Sequence, residues 1–158
     1  MPMDSLLAEF SRLHFPNAPA TPAQLAAFEA RVGWKLDADL RAFYLHADGG
    51  TLFKPQPNVK YCILSLDEIE RARVAIRGRD QDSAGPASHF TLVDMQDTNF
   101  VILDAARREN DRYPLLDAFH ETYPEEAPCI ASSFGEFLEK ALRSGNRAYW
   151  LSGSTPDG

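Results

Sequence analysis

Cysteines and long apolar runs are both scarce in this chain of 158 residues. The two cysteines, Cys62 and Cys129, are too few for a disulfide framework, and neither lies in a CxxC or CxH spacing. We therefore expect both to be reduced, buried side chains. The strongly apolar stretches, such as residues 100–103, are far shorter than a membrane-spanning helix requires. The opening MPMDSLLAEFSRLHF lacks the basic start of a signal peptide, so we expect a cytoplasmic protein with no membrane partner.

The chain also has fewer basic residues than acidic residues. Asp and Glu number 23 against 16 for Lys and Arg, which gives a net charge of −7 and a pI near 5.0. An acidic domain repels phosphate backbones, so nucleic acid is an unfavourable partner. Such a surface suits a basic protein, although a net charge of this size also serves solubility alone.

Motifs of the common enzyme classes are missing, since the chain contains no Walker loop, GxGxxG, GxSxG or HExxH sequence. The four histidines are far apart and none has a partner at metal-ligand spacing: His14, His46, His89 and His120. We therefore expect no catalytic site, no cofactor and no metal. A small hydrolase that uses Asp94, Asp97 or His120 remains the enzymatic alternative, with Asp104 close by in sequence. Aspartates are common at turns and strand ends for structural reasons.

Helix signals dominate the first third of the chain. Four apolar residues recur at helical spacing near its start: Leu6, Leu7, Phe10 and Leu13. Thr21 and Gln24 form a capping-box pattern with Pro22 at the first helical position, and Gly33 ends that helix. Asp37 is placed to cap a third helix, which ends at the DGG sequence of residues 48–50.

Strand signals dominate the middle. Residues 59–64 predict a strand, and residues 65–68 predict the start of a helix with Leu66, Ile69, Ala72 and Ile76 on its buried stripe. Residues 90–95 and 100–103 predict a hairpin, and residues 113–119 a further strand. Ser133 caps a last helix that buries Phe134, Phe137, Leu138, Ala141 and Leu142. The pattern predicts an α+β single domain over residues 1–151, with a mostly antiparallel central sheet flanked by helices, and a flexible tail over residues 152–158.

Two charged clusters stand out. Arg71, Arg73, Arg77 and Arg79 lie within the predicted middle helix, where neighbouring acids favour a solvated face with local ion pairs. Residues 113–139 contain six acids and no Lys or Arg: Asp117, Glu121, Glu125, Glu126, Glu136 and Glu139. Tyr123 precedes PEE, which predicts an aromatic residue exposed in an acidic loop. Such a loop suits a basic protein partner, and an ordinary solvated loop explains the pattern equally well.

The run PAQLAAFEARVGWKLDADLRAFYLHADGGTLF, residues 22–53, resembles the opening signature of the SUKH superfamily, which is named partly after a yeast cell-wall regulator. The matching residues are Glu29, Val32-Gly33, Leu36, Phe43-Tyr44 and Gly49-Gly50. Asp37 stands where the family often has Pro, and Asp48 stands where it often has Asn. The predicted hairpin and the SSFGEFL sequence at residues 132–138 are similar to the family's later elements, so the resemblance covers about residues 21–145.

This resemblance implies a bacterial immunity protein that binds a cognate toxin with a basic surface and occludes its active site. Such proteins are not known as enzymes and act in bacterial competition, within polymorphic toxin systems that include type VI secretion. A non-enzymatic regulatory or scaffold module is the alternative, and the chain is expected to be a monomer or homodimer. The charge asymmetry and the hairpin together suggest these contacts: Asp94, Asp97, Asp117, Glu121, Tyr123, Glu125 and Glu126.

Overall fold

The computed structural model of the protein describes residues 2–53 and 61–154. In these residues five helices are formed: α1 (Met3–Leu13), α2 (Pro22–Val32), α3 (Ala38–His46), α4 (Ala72–Arg77) and α5 (Phe134–Leu142). Seven strands form one sheet: β1 (Phe15–Pro16), β2 (Gly50–Leu52), β3 (Tyr61–Ile63), β4 (His89–Asp94), β5 (Phe100–Asp104), β6 (Leu115–Ala118) and β7 (Cys129–Ala131). The predicted α+β fold class with an antiparallel sheet is confirmed.

The sheet is an antiparallel meander in which each strand pairs with its neighbours in sequence, from β1 to β7. The longest ladder joins β4 to β5, from the His89–Asp104 pair to the Asp94–Phe100 pair. Successive connections in a meander alternate between the two ends of the sheet. The β4–β5 turn and the β6–β7 connection therefore lie at one end, and the β3–β4 and β5–β6 connections lie at the other.

Side chains alternate across the sheet, so its two faces have separate apolar clusters. Val101 and Leu103 belong to the main core, which also holds the buried faces of α1, α2, α3 and α5. Ile102 belongs to a smaller cluster on the opposite face with Ala72 of α4 and Tyr123 of the β6–β7 connection. The β6–β7 connection is thus packed onto the sheet and partly buried.

Local hydrogen bonds set the helix starts as the sequence predicts. The Thr21 hydroxyl accepts from the Gln24 N–H at 3.1 Å, and the Gln24 side chain accepts from the Thr21 N–H at 2.8 Å. Asp37 accepts from the Leu40 N–H at 2.9 Å, and Ser133 caps α5 in the same way. These reciprocal bonds satisfy backbone donors that a helix N-terminus leaves without partners.

The helix predicted from residue 65 is wrong in its extent. The capping box between Ser65 and Glu68 is present, but it starts only a short 3₁₀ turn, Leu66–Glu68. The chain then runs extended beside β4. The Thr91 N–H donates to the Glu70 carbonyl at 2.9 Å, and Arg71 forms an isolated antiparallel β-bridge with Phe90. Pairing with the sheet overrides helix propensity here, and α4 begins only at Ala72.

The predicted local ion pairs are present, and Arg79 is exposed, but Arg73 and Arg77 do not belong to a solvated helix face. Arg73 is buried, and its guanidinium donates to Asp80 and Asp82, each at 2.8 Å. The guanidinium of Arg77 donates to the backbone carbonyls of His120 and Tyr123. These side chains fasten α4 to the neighbouring connections, so they are structural groups.

The strand predictions are confirmed for β3, β4, β5 and β6. Residues 113–119 contain β6, and residues 59–64 contain β3, with residues 59 and 60 outside the described part of the chain. The short strands β1, β2 and β7 were not predicted. Cys129 is exposed because β7 is the last described strand of the sheet, so the expectation of a buried thiol is wrong there. The predicted tail is described as far as Ser154, which ends a 3₁₀ turn, Tyr149–Ser154; residues 155–158 lie outside the described residues.

Candidate functional site

The β4–β5 turn and the β6–β7 connection meet at one end of the sheet. The side-chain oxygen of Asn99, in the turn, accepts from the His120 N–H at 2.9 Å and lies 2.9 Å from the His120 ring nitrogen Nδ1. The acidic side chains of the two segments therefore share one end of the molecule. We call this end, comprising residues 94–99 and 117–128, the acidic end.

Of the acids predicted as partner contacts, four are exposed at the acidic end and two are half-buried. The exposed side chains are those of Asp97, Glu121, Glu125 and Glu126, and the half-buried ones are those of Asp94 and Asp117. The Asp94 carboxylate accepts from the Gln96 N–H at 2.7 Å, which fixes the tight turn that presents Asp97. That turn holds Asp97 in the left-handed region, with φ of 58°.

Tyr123 is a core residue, so the expectation of an exposed aromatic contact is wrong. Its side chain is 0% exposed, and its hydroxyl lies 2.8 Å from Nδ1 of His89. The ring packs so closely on Gly85 that a Cβ there would lie 2.9 Å from it. Its large apolar area fills the smaller core cluster, which outweighs the polarity of its PEE neighbours in sequence.

His89 joins Tyr123 to Asp104 inside the molecule. Nε2 of His89 lies 3.5 Å from the Asp104 carboxylate, and burial lowers the pKa of the imidazole. Asp104 pairs with the first residue of β4, so it sits at the end of the β4–β5 ladder remote from Asp94 and Asp97. The structure thus separates Asp104 from Asp94 and Asp97, which share the β4–β5 turn.

A cavity of about 380 Å³ opens at the acidic end, beside the 3₁₀ turn that follows α5. The residues that line it include Met95, Asp117, Phe119, Glu126, Trp150 and Leu151. Sequence reasoning singled out neither Trp150 nor Leu151, whose only signal was an aromatic and an aliphatic residue side by side beyond the last helix.

Asp117 is a half-buried carboxylate in the wall of the cavity. Burial raises the pKa of Asp117, and a hydrogen bond with the Trp150 side chain partly opposes that change. The Asp117 N–H donates to the Pro128 carbonyl at 2.9 Å, which holds the β6–β7 connection against β6. The described residues that line the recess include no Lys or Arg, so the Asp117 carboxylate there is complementary to a cation.

The described residues offer no grouping of three or more His, Cys, Asp or Glu side chains suited to a metal ion. His14 serves the fold, since its Nδ1 accepts from the Phe53 N–H at 2.9 Å. Over residues 2–53 and 61–154, the helices are also too short or too polar to cross a membrane.

Comparison with known families matches residues 19–140 to the model described as the SMI1 / KNR4 family (SUKH-1). The chain belongs to this family. The matched span runs from the residues before α2 into α5, so it includes the whole acidic end and confirms the resemblance drawn from the sequence. A search of curated proteins gave no match.

The residues that carry the SUKH-1 resemblance are structural in this protein. The Glu29 carboxylate accepts from the Leu36 N–H at 2.8 Å, which closes the turn between α2 and α3. Asp48 accepts from the Leu66 N–H at 2.9 Å. Gly49 has φ of 84°, and a Cβ there would lie 2.6 Å from the Ile63 carbonyl oxygen. The signature therefore encodes the fold, and the partner surface has to be sought elsewhere.

Proposed function

We propose that this SUKH-1 protein is an immunity protein, which binds a cognate toxin and neutralises it by covering the toxin's active site. Membership of the family supports this role. The observation that carries the proposal is the acidic end, where the β4–β5 turn and the β6–β7 connection together present Asp97, Glu121, Glu125 and Glu126 to solvent. A toxin that acts on nucleic acid needs a basic surface to hold phosphates, and this end has the complementary charge.

The proposed mechanism has two electrostatic steps and requires no chemistry from the inhibitor. The exposed carboxylates accelerate encounter with a basic surface, because opposite charges steer association. Once docked, the same carboxylates occupy the positions that substrate phosphates would take, and the packed connection excludes the substrate. The protein acts stoichiometrically, in the cytoplasm, as a monomer or homodimer with one toxin per chain.

The first experiment tests the function. Each candidate toxin encoded near the gene is expressed in a sensitive host, with and without this protein. The proposal expects one toxin whose growth arrest is relieved and which co-purifies with the protein at a 1:1 ratio. Failure to protect against any such toxin, together with recovery of host regulatory proteins, would instead favour a regulatory or scaffold module.

The second experiment tests the surface. Glu125→Lys with Glu126→Lys reverses two exposed charges at the acidic end, and Asp67→Lys with Glu109→Lys reverses two exposed charges at the other end of the sheet. Both double variants change the net charge equally. We expect the association rate constant at low salt to fall about tenfold or more in the first variant, with a weaker salt dependence, and to stay within about twofold in the control. Equal effects in the two variants would overturn the proposed placement.

A further inference from the structure

The cavity at the acidic end has walls that the fold holds in place. Trp150 packs against Tyr149 at 5.0 Å, Tyr61 at 6.2 Å and Phe137 at 6.3 Å between ring centroids, so one wall is anchored in the main core. Asp117 pairs with Val101, whose side chain belongs to that core, and this register directs Asp117 to the same face of the sheet. The site is therefore built from strand β6 and from a 3₁₀ turn that packs on the main core.

The mouth of the cavity is apolar. Phe119 is 39% exposed and Leu151 is 56% exposed, and these are two of the large hydrophobic side chains that the described residues leave most open to solvent. An aromatic ring and an aliphatic side chain beside a recess favour a ligand with an extended apolar stem.

The carboxylates in the wall of the cavity favour a positively charged ligand. Asp117 and Glu126 are both carboxylates, and none of the described residues that line the cavity is Lys or Arg. A planar guanidinium stacks on aromatic faces, bonds two carboxylates at once and is less strongly hydrated than an ammonium group. Aromatic walls with carboxylates therefore favour arginine over lysine.

Among the described residues, those that line the cavity do not supply the complementary cation, which a bound partner can provide. We propose that the cavity between Asp117, Glu126, Phe119 and Trp150 receives an arginine side chain of the bound toxin. This inference rests on the proposed immunity function, because that function supplies the basic protein.

The cavity is tested first without a toxin. The probe is N-acetyl-L-arginine methylamide, and its uncharged control is the citrulline analogue, which has the same length and shape. The readout is the indole N–H resonance of Trp150 in ¹⁵N-labelled protein, assigned with Trp150→Phe. We expect a saturable shift with the arginine probe and none with the citrulline analogue. Glu126→Gln and Asp117→Asn should each raise the dissociation constant of the arginine probe about tenfold. Glu109→Gln, at the opposite end of the sheet, should leave that constant unchanged.

Equal shifts from the arginine and citrulline probes, or full affinity in both carboxamide variants, would overturn the inference. Glu126 is exposed, so Glu126→Gln tests the cavity even if Asp117→Asn disturbs the fold. With the purified toxin, the same two variants should raise the dissociation constant about tenfold. Equal binding of the toxin to all variants would overturn the proposed arginine contact but not the proposed immunity function. Selective binding of the arginine probe, with no toxin neutralised, would support a guanidinium-binding site and overturn the proposed immunity function.

Discussion

Replacement of Tyr123 by Phe tests whether this residue belongs to the core or to the partner surface. The change deletes one oxygen and no carbon, so it removes almost no apolar packing. It does remove the 2.8 Å contact with Nδ1 of His89, a residue that is only 7% exposed. A buried polar atom left without a partner costs about 1–3 kcal/mol. For a domain of this size, that loss lowers the melting temperature by about 3–10 °C.

Urea unfolding of the wild type, Tyr123→Phe, His89→Leu and the double variant measures this contact. The two single changes should be non-additive by about 0.5 kcal/mol or more, since each removes the same hydrogen bond. Toxin association should stay within about twofold, because the hydroxyl does not reach the surface. A Tyr123→Phe protein that is fully stable but binds toxin poorly would refute the assignment of Tyr123 to the core.

Three further predictions concern stability. Phe137→Ala removes a fully buried ring that packs against four aromatic rings, and we expect a loss of about 3–5 kcal/mol in urea unfolding; wild-type stability would contradict the packing of α5. Gly50→Val places a Cβ 2.7 Å from the Phe15 carbonyl oxygen and should cost more than about 2 kcal/mol, whereas Gly33→Ala, where no atom lies within 4 Å, should cost only about 1 kcal/mol. Burial lowers the pKa of His89, so the unfolded chain binds that proton more readily; the free energy of unfolding should fall as pH drops below about 6.5, and His89→Leu should weaken this fall.

Local signals predicted the fold well where one segment determines its own structure. The caps at Thr21, Asp37 and Ser133 are formed by atoms within three residues, so the sequence alone identifies them. The middle helix fails because the competitor is distant: Thr91 of β4 pairs with Glu70 and keeps the chain extended. The strands β1, β2 and β7 span only two or three residues, and their pairing with neighbours defines them. β3 is equally short, but it lies within the longer run of residues 59–64 that predicts a strand.

The candidate site was predictable in charge but not in shape. The deficit of Lys and Arg over residues 113–139 is visible without a structure, and so are the acids of the β4–β5 turn. Their meeting depends on strand register and on the contact between Asn99 and His120. The prediction that Tyr123 is exposed was wrong for a similar reason. Burial of this loop aromatic depends on Gly85 and His89, which are distant in the chain.

Stoichiometric neutralisation of a toxin is the central claim, and a titration of the toxin's activity tests it most directly. Purified toxin at a fixed concentration, well above the dissociation constant, is mixed with increasing amounts of this protein. We expect the toxin's activity to fall linearly and to reach zero at one chain per toxin molecule, and dissociation of the complex to restore it. Activity that persists in the saturated complex, or irreversible loss at far less than one chain per toxin, would contradict inhibition by occlusion.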